Sequence, residues 1–273
     1  MKLAASNIAW SPEEDDAAAR LLVTAGATGV EVAPGRLFDD PEKALDRDVT
    51  AARRVWNDRG LEIIALQALL FGRPDLVLFG SRDDRQRTAA YLRRITGLAA
   101  GLGARAMVFG SPRNRQRADT SVAEADRIAV DFFSELGLYA WEHGIALCLE
   151  ANAPEYGCDF ICTTQEAIDL VRRVDGPGFR VQIDTSTMVM NGEDCRVSIE
   201  GAAPLAGHLH LSEPNLGPVG PDGQVPVGTV LEAIEASGYS GWISIEMRAS
   251  PDGRSLDALQ RALGHVTSAG GRR

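Results

Sequence analysis

The chain has 273 residues, 45% of them hydrophobic and 24% charged, which is enough to bury a large core in one α/β domain or two small ones. Its 28 basic residues fall short of its 38 acidic ones, and the formal charge of −10 argues against phosphate-backbone affinity and so against bulk nucleic-acid binding. No window approaches roughly 18 uninterrupted apolar residues, so no membrane span is expected. The opening MKLAASNIAWSPEEDD also lacks the length and cleavage site of a signal peptide.

In chain order, short apolar or β-branched runs alternate with longer amphipathic stretches, the pattern of repeated βα units and a parallel sheet. The runs predicted as strands are Leu3 to Ala9, Gly29 to Ala33, Glu62 to Gln67, Ala104 to Phe109, Ile145 to Glu150, Phe179 to Asp184, Gly207 to Leu211 and Trp242 to Met247. Segments 83–100 and 122–143 repeat apolar residues at three- and four-residue spacing opposite charged ones, which predicts helices on the outside of the sheet. Boundary signals agree. Ser11-Pro12 precedes Glu13 and Glu14, Asp40-Pro41-Glu42 opens the second helix, Ser121 precedes the fourth, and Gly60, Gly103 and Gly144 follow helix ends.

Eight units of roughly 34 residues fit a single-domain (β/α)8 TIM barrel over residues 1–267, with SAGGRR at 268–273 left as a loose, flexible tail. A dinucleotide-binding open sheet has no support, because NIAWSPEEDD follows the first strand where a G-x-G-x-x-G turn belongs. The four cysteines, Cys148, Cys158, Cys162 and Cys195, contain no C-x-x-C pair and suit reduced thiols in a cytoplasm.

In such a barrel the carboxyl ends of the strands converge on one mouth that carries the active site. Four adjacent strands end there on metal-binding residue types: Glu150 on the fifth, Asp184 on the sixth, His208, His210 and Glu213 around the end of the seventh, and Glu246 on the eighth. Each alone has a structural explanation, as a helix cap or a satisfied core group. Together they would repel one another unless a cation neutralised them, which predicts a bound divalent metal. His208 and His210 share strand parity, so both face inward. His210, nearer the mouth, is the expected ligand, and His208 an orienting group one layer deeper that also stands within reach of a substrate. The mostly oxygen donor set favours manganese, with magnesium, cobalt or zinc also able to bind.

Other residues fall at the same mouth. Arg113 and Arg115, in FGSPRNRQR after the fourth strand, would hold a phosphate or carboxylate, or simply form a solvated basic loop. Glu31 closes the second strand in GVEVAP and either hydrogen-bonds a mouth residue, contacts substrate or lines the barrel. Asn7, Trp10, Gln67, Phe71 and Tyr156 would supply the apolar walls and sparse polar contacts of a small-molecule pocket, although aromatics at strand ends are often core. The apolar loop ALLFG at 68–72 suits a lid or the face of a homo-oligomer. His143 and His265 fall on the outer helices, where a structural role suffices.

The segments LEANAPEYGCDF at 149–160, QIDTSTM at 182–188, GHLHLSEP at 207–214 and WISIEM at 242–247 resemble the xylose isomerase-like TIM barrels, in particular the single-metal sugar isomerases and epimerases. The resemblance covers nearly the whole chain. It implies that Glu150, Asp184, His210 and Glu246 bind one metal and that the two glutamates transfer protons. Two positions depart from the ketose 3-epimerase pattern: Thr187 stands where a substrate-binding histidine is expected, and Leu216 where an arginine is.

Such a site suits proton removal next to a carbonyl, because a cation stabilises the developing enediolate while a nearby base takes the proton. The expected function is therefore a metal-dependent isomerase or epimerase of a small sugar-like polyhydroxy carbonyl compound, in carbohydrate metabolism. The alternative is a lyase, dehydratase or deglycosidase on an oxidised sugar or cyclitol, which shares the first step. A phosphodiesterase needs several zinc ions and a basic face, and four histidines at a charge of −10 do not supply them. A purely binding barrel has no use for paired bases around a metal.

Overall fold

The computed structural model describes residues 2–271. Eight parallel strands, β1 (Lys2–Ser6), β2 (Gly29–Val32), β3 (Glu62–Leu66), β4 (Ala106–Phe109), β5 (Ala146–Glu150), β6 (Phe179–Asp184), β7 (Ala206–Ser212) and β8 (Trp242–Glu246), close into a barrel in sequential order. The last pair, β1 with β8, seals the sheet through Lys2↔Trp242 to Ala5↔Ile245, so no strand edge is left exposed. The protein is a single-domain (β/α)8 TIM barrel, as the alternating pattern predicts.

The helices form because apolar positions recur on one face and caps stop the ends. Arg82–Leu102 starts at Ser81, whose hydroxyl accepts from Asp84 N, and ends at Gly103 with φ +88°, a left-handed turn that a side chain would strain. It buries Tyr91, Leu92, Ile95 and Leu98 against the barrel. Val122–Glu142 likewise starts at Ser121. Its Phe133 ring stacks on Phe179 of β6 at 4.6 Å between centroids, which fixes that helix to the sheet.

Several boundaries move. β1 stops at Ser6, whose hydroxyl caps a 3-10 turn over Asn7–Ala9, so the predicted strand is three residues too long. Asp40-Pro41-Glu42 makes only a 3-10 turn, Pro41–Lys43, and the helix begins at Asp46. Proline at N1 suits any first turn, 3-10 or α, so the signal marked a turn and not the helix. The connection after β6 contains two short helices, Thr185–Met190 and Cys195–Ala202. The final helix, Ser255–Gly270, carries residues 268–270 of the expected tail, because its buried stripe of Leu259, Ala262, Leu263 and Val266 anchors it. Arg272 and Arg273 lie outside the described residues. No helix is long and apolar enough to cross a membrane among the described residues.

Candidate metal centre and active site

Strand parity brings four donors together at the carboxyl end of the barrel. Asp184 and His210 are register partners across β6 and β7, and Ser212 and Glu246 across β7 and β8, so inward-facing positions fall at nearly one level. One ligand atom each from Glu150, Asp184, His210 and Glu246 lies within 4.8 Å of all the others. His210 Nδ1 stands 3.1 Å from Glu150 Oε1 and 3.3 Å from Glu246 Oε2.

These groups are buried at each other's electrostatic expense. Burial, followed by the charges of Glu150 and Glu246, pushes the Asp184 carboxyl up to about 7. Burial also raises Glu246. His210 is raised as well, but against its own burial: the Glu246 and Glu31 charges hold its imidazolium well above the usual histidine range. Three carboxylates and an imidazole in so small a space fit one divalent cation, which removes the repulsion that burial amplifies.

A supporting layer fixes the donors. Asp184 accepts from Thr187 N and from Ser212 Oγ, each at 2.6 Å, so it caps the Thr185–Met190 helix while keeping its carboxylate at the centre. Asn152 Nδ2 donates to Glu150 Oε2 at 3.0 Å. Below the cluster, Glu31 accepts from His210 Nε2, with both carboxylate oxygens 3.0 Å away, and from Ser244 Oγ at 2.7 Å. With Nε2 turned to Glu31, Nδ1 is the nitrogen presented to the cluster, a carboxylate–histidine arrangement that sets the ring and its tautomer. Burial would raise Glu31, but the His210 and His208 charges outweigh it and hold the carboxyl well below its usual range.

The residues expected to touch substrate divide sharply. Glu31 is fully buried beneath the cluster, with its carboxylate on His210 Nε2. His208 lies in the same layer, 1% exposed, with Nε2 3.3 Å from Glu31 Oε1 but not aligned for a hydrogen bond. Arg115 is also fully buried. Its guanidinium donates to the carbonyls of Gly110, Glu150 and Phe160 at 2.6, 2.7 and 3.1 Å and to Asn152 Oδ1 at 3.1 Å, which leaves no fork for an anion. Glu213 is committed to the backbone amides of Gln224 and Val225. Trp10 is buried with Nε1 donating to Asp15 Oδ1 at 2.8 Å, and Asn7 is buried with Oδ1 accepting from Ala33 N at 2.9 Å.

Others remain at the mouth. Arg113 is exposed. Gln67 and Phe71 line a cavity of about 820 Å³ together with Glu246, and Gln67 donates to Ser6 Oγ. Tyr156 accepts from Asn215 N at 2.7 Å, joining the loops after β5 and β7. The departures are structural as well: Thr187 Oγ1 donates to Ala151 O, and Leu216 lines the cavity. Sequence reading missed Asn152, Ser212 and Ser244. Asn152 and Ser212 each lie two residues from a donor with the same strand parity or just past it, a local signal for a supporting partner.

A profile of the family described as xylose isomerase-like TIM barrel matches residues 19–268. The chain belongs to that family. Within the xylose isomerase-like barrels, it is 31% identical over 136 residues to a putative hydroxypyruvate isomerase of Streptomyces coelicolor, covering 48% of each. It is 30% identical over 118 residues to a D-psicose 3-epimerase of Ruminiclostridium cellulolyticum, covering 43% of this chain and 40% of that one. The matched segments thus span about half the length of these curated relatives or less. Over the whole barrel, a D-psicose 3-epimerase structure with D-fructose present superposes at TM-score 0.78 and 18% identity, covering 98% and 96% of the two chains. The IOLI protein with a bound zinc atom superposes at 0.77 and 18%, covering 100% and 99%. These superpositions establish the shared fold.

Proposed function

We propose that this barrel is a divalent-metal-dependent isomerase or epimerase of a small sugar or sugar-like polyhydroxy carbonyl compound. The observation that carries the reading is the convergence of two glutamates, from β5 and β8, on His210 Nδ1 at 3.1 and 3.3 Å. Their side chains stay 12% and 10% exposed toward the mouth, while His210 is sealed. The hydroxypyruvate isomerase and psicose epimerase relatives agree with this class of reaction.

Glu150, Asp184, His210 and Glu246 would hold the cation, and manganese suits the three carboxylates best. A cation there supplies positive charge for the oxygen anion that develops when a carbon next to a carbonyl loses its proton. Glu150 and Glu246 are the two bases. One takes the proton, and the other returns one to the opposite face of the same carbon for epimerisation, or to the neighbouring carbon for isomerisation. Asn152 keeps Glu150 aimed, and Glu31 keeps His210 turned, so neither must reorganise during the transfer. The four free thiols fit a reducing compartment, and we assign the protein to the cytoplasm.

The test is metal content of the purified protein followed by hydrogen–deuterium exchange, read by NMR, on a panel of ketoses and hydroxycarbonyl acids, with Glu246→Gln as control. Metal-dependent exchange that falls about 10²–10⁴-fold in the variant supports the reading. A product lacking water or an aglycone would move the assignment to a lyase. A metal-loaded protein inert to the whole panel would overturn the isomerase reading.

A further inference from the structure

The mouth cavity of about 820 Å³ is lined by Glu246 and also by Arg36. Arg36 lies in the short helix Pro34–Leu37 just after β2, the strand that supplies Glu31 beneath His210. One βα turn thus supports the metal centre from below and sets a cation on the wall of the cavity above it.

Only part of this guanidinium is used. Nη1 donates to the Trp10 carbonyl at 2.8 Å, whereas Nε and Nη2 are shielded from water and have no hydrogen-bond partner. The carboxylate of Asp15 stands 4.0 Å from Nη2, beyond hydrogen-bond reach. Its Oδ1 already accepts from Trp10 Nε1 at 2.8 Å, and its Oδ2 lies 3.8 Å from Arg59 Nη1. Nε–H and Nη2–H project from the same edge of the guanidinium plane, and that edge is a fork that grips two oxygens of a carboxylate or phosphate. Buried donors without partners are uncommon, and a vacant pair of this shape marks a place for an acceptor. A single hydrogen bond holds the guanidinium, so a modest side-chain rotation turns the vacant edge into the cavity.

The other charges on the wall leave this fork to a ligand. Arg73 is engaged by Glu42 at 2.8 Å and Asp75 at 2.9 Å, and Asp40 pairs with Lys43 at 2.6 Å. Asp39 is exposed and engages no other group, so it is free to accept from a hydroxyl while it repels an anion from its own part of the wall. Among the described residues of the cavity, Arg36 is therefore the one cation with donors to spare.

We propose that Arg36 is a specificity-determining residue, whose Nε–Nη2 edge takes an anionic group of the substrate, carboxylate or phosphate, while the reacting carbon reaches Glu246. This rests on the sugar-carbonyl reading of the site and adds to it a charge requirement set by one side chain.

The experiment uses three unreactive probes, glucitol, gluconate and glucitol 6-phosphate, titrated by calorimetry into metal-loaded wild type, Arg36→Met and Arg36→Lys. The expected result is that one of the two anions binds the wild type at least about tenfold tighter than glucitol. The ratio should fall toward one in Arg36→Met and to an intermediate value in Arg36→Lys, which keeps the charge and loses the fork. The anion preferred identifies the group recognised. Equal affinity for all three probes in the wild type overturns the inference, as does a preference unmoved in Arg36→Met, which would place the anion on the metal instead. If Arg36→Met does not fold, a wild-type ratio in Arg36→Lys overturns it equally. Hydrogen–deuterium exchange separates this inference from the reading it rests on. An Arg36-dependent anion preference, with no exchange on any sugar acid, sugar phosphate or neutral ketose, leaves the inference standing and sinks the isomerase reading. Exchange equally fast on neutral and anionic substrates does the reverse.

Discussion

At the amino end of the barrel the interior is filled by Ala4, Ile64, Ala65, Ala106 and Cys148 packed with Ala146 and Trp242. Two residues beyond Cys148 on β5, and four beyond Trp242 on β8, the same inward parity delivers Glu150 and Glu246. One end is close-packed and apolar, and burial there pushes the Cys148 thiol up to about 12, so it stays protonated and inert. The other end gathers three carboxylates around one imidazole, a set that could hold a cation. A barrel can carry such a mouth because the packed end supplies stability independently of it. The layer of Glu31, His208 and Ser244 between them is where packing gives way to chemistry.

That contrast can be broken from either side. The largest effect is expected at Arg115, which belongs to the mouth in sequence but to the core in its contacts. Arg115→Met leaves several buried carbonyls without donors, at roughly 1–3 kcal/mol each, so chemical denaturation should show a loss of about 3 kcal/mol or more. Arg113→Met, on the exposed neighbour, should change stability by under about 0.5 kcal/mol. A metal-loaded Arg115→Met protein as stable as wild type would refute the structural reading of this residue.

Two glycines sharpen the difference between the ends. A Cβ on Gly29 would meet Trp242 at 2.7 Å and Ile64 at 2.9 Å, so Gly29→Ala should cost about 1–3 kcal/mol of stability while metal affinity holds. A Cβ on Gly110 would collide with the Glu150 carboxylate, so Gly110→Ala should lower metal affinity and exchange rate with little loss of stability. Denaturation midpoints and metal titrations on the same samples separate the two outcomes.

At the boundary layer, Glu31→Gln keeps the volume but removes the charge behind His210. Metal affinity, read by competition with a chelating dye, should fall about 10–100-fold. An unchanged affinity would show that Glu31 is only packing. The smallest effect is the pH dependence. In the metal-free protein Asp184 takes a proton below about pH 7, because burial and two neighbouring carboxylates raise it, and a cation must displace that proton. Affinity should therefore fall as pH drops, already above pH 7 through the His210 proton, which is held well above the usual histidine range, and more steeply below about pH 7 as Asp184 and Glu246 also take protons. Calorimetric titration on both sides of pH 7 checks the sign.

The barrel and the convergence of four residues at its mouth were legible in the sequence because the signals are local. A strand alternates with period two, its carboxyl end faces the mouth, and those rules place Glu150, Asp184, His210 and Glu246 without knowledge of any distant contact. Helix ends were legible only partly. Ser81 and Gly103 cap their helix as short-range chemistry dictates, whereas Asp40-Pro41 opens a 3-10 turn that stops at Ala44, where ψ swings to 127° and leaves the helical region.

Tertiary structure alone decided which polar side chains are free to meet a ligand. Arg115, Glu213, Trp10 and Glu31 have the residue types and positions of substrate contacts, yet each is claimed by partners that composition does not reveal. Glu31 meets His210 across 179 residues, and Arg115 meets the Glu150 carbonyl across 35. A buried donor or acceptor must be paired, and for Glu31 and Arg115 the partner is brought near only when the barrel closes, whereas Trp10 and Glu213 are claimed within their own loops by Asp15 and by the amides of Gln224 and Val225. The sequence determined which residue types reach the mouth. Closure of the sheet determined which of them still have bonds left to give.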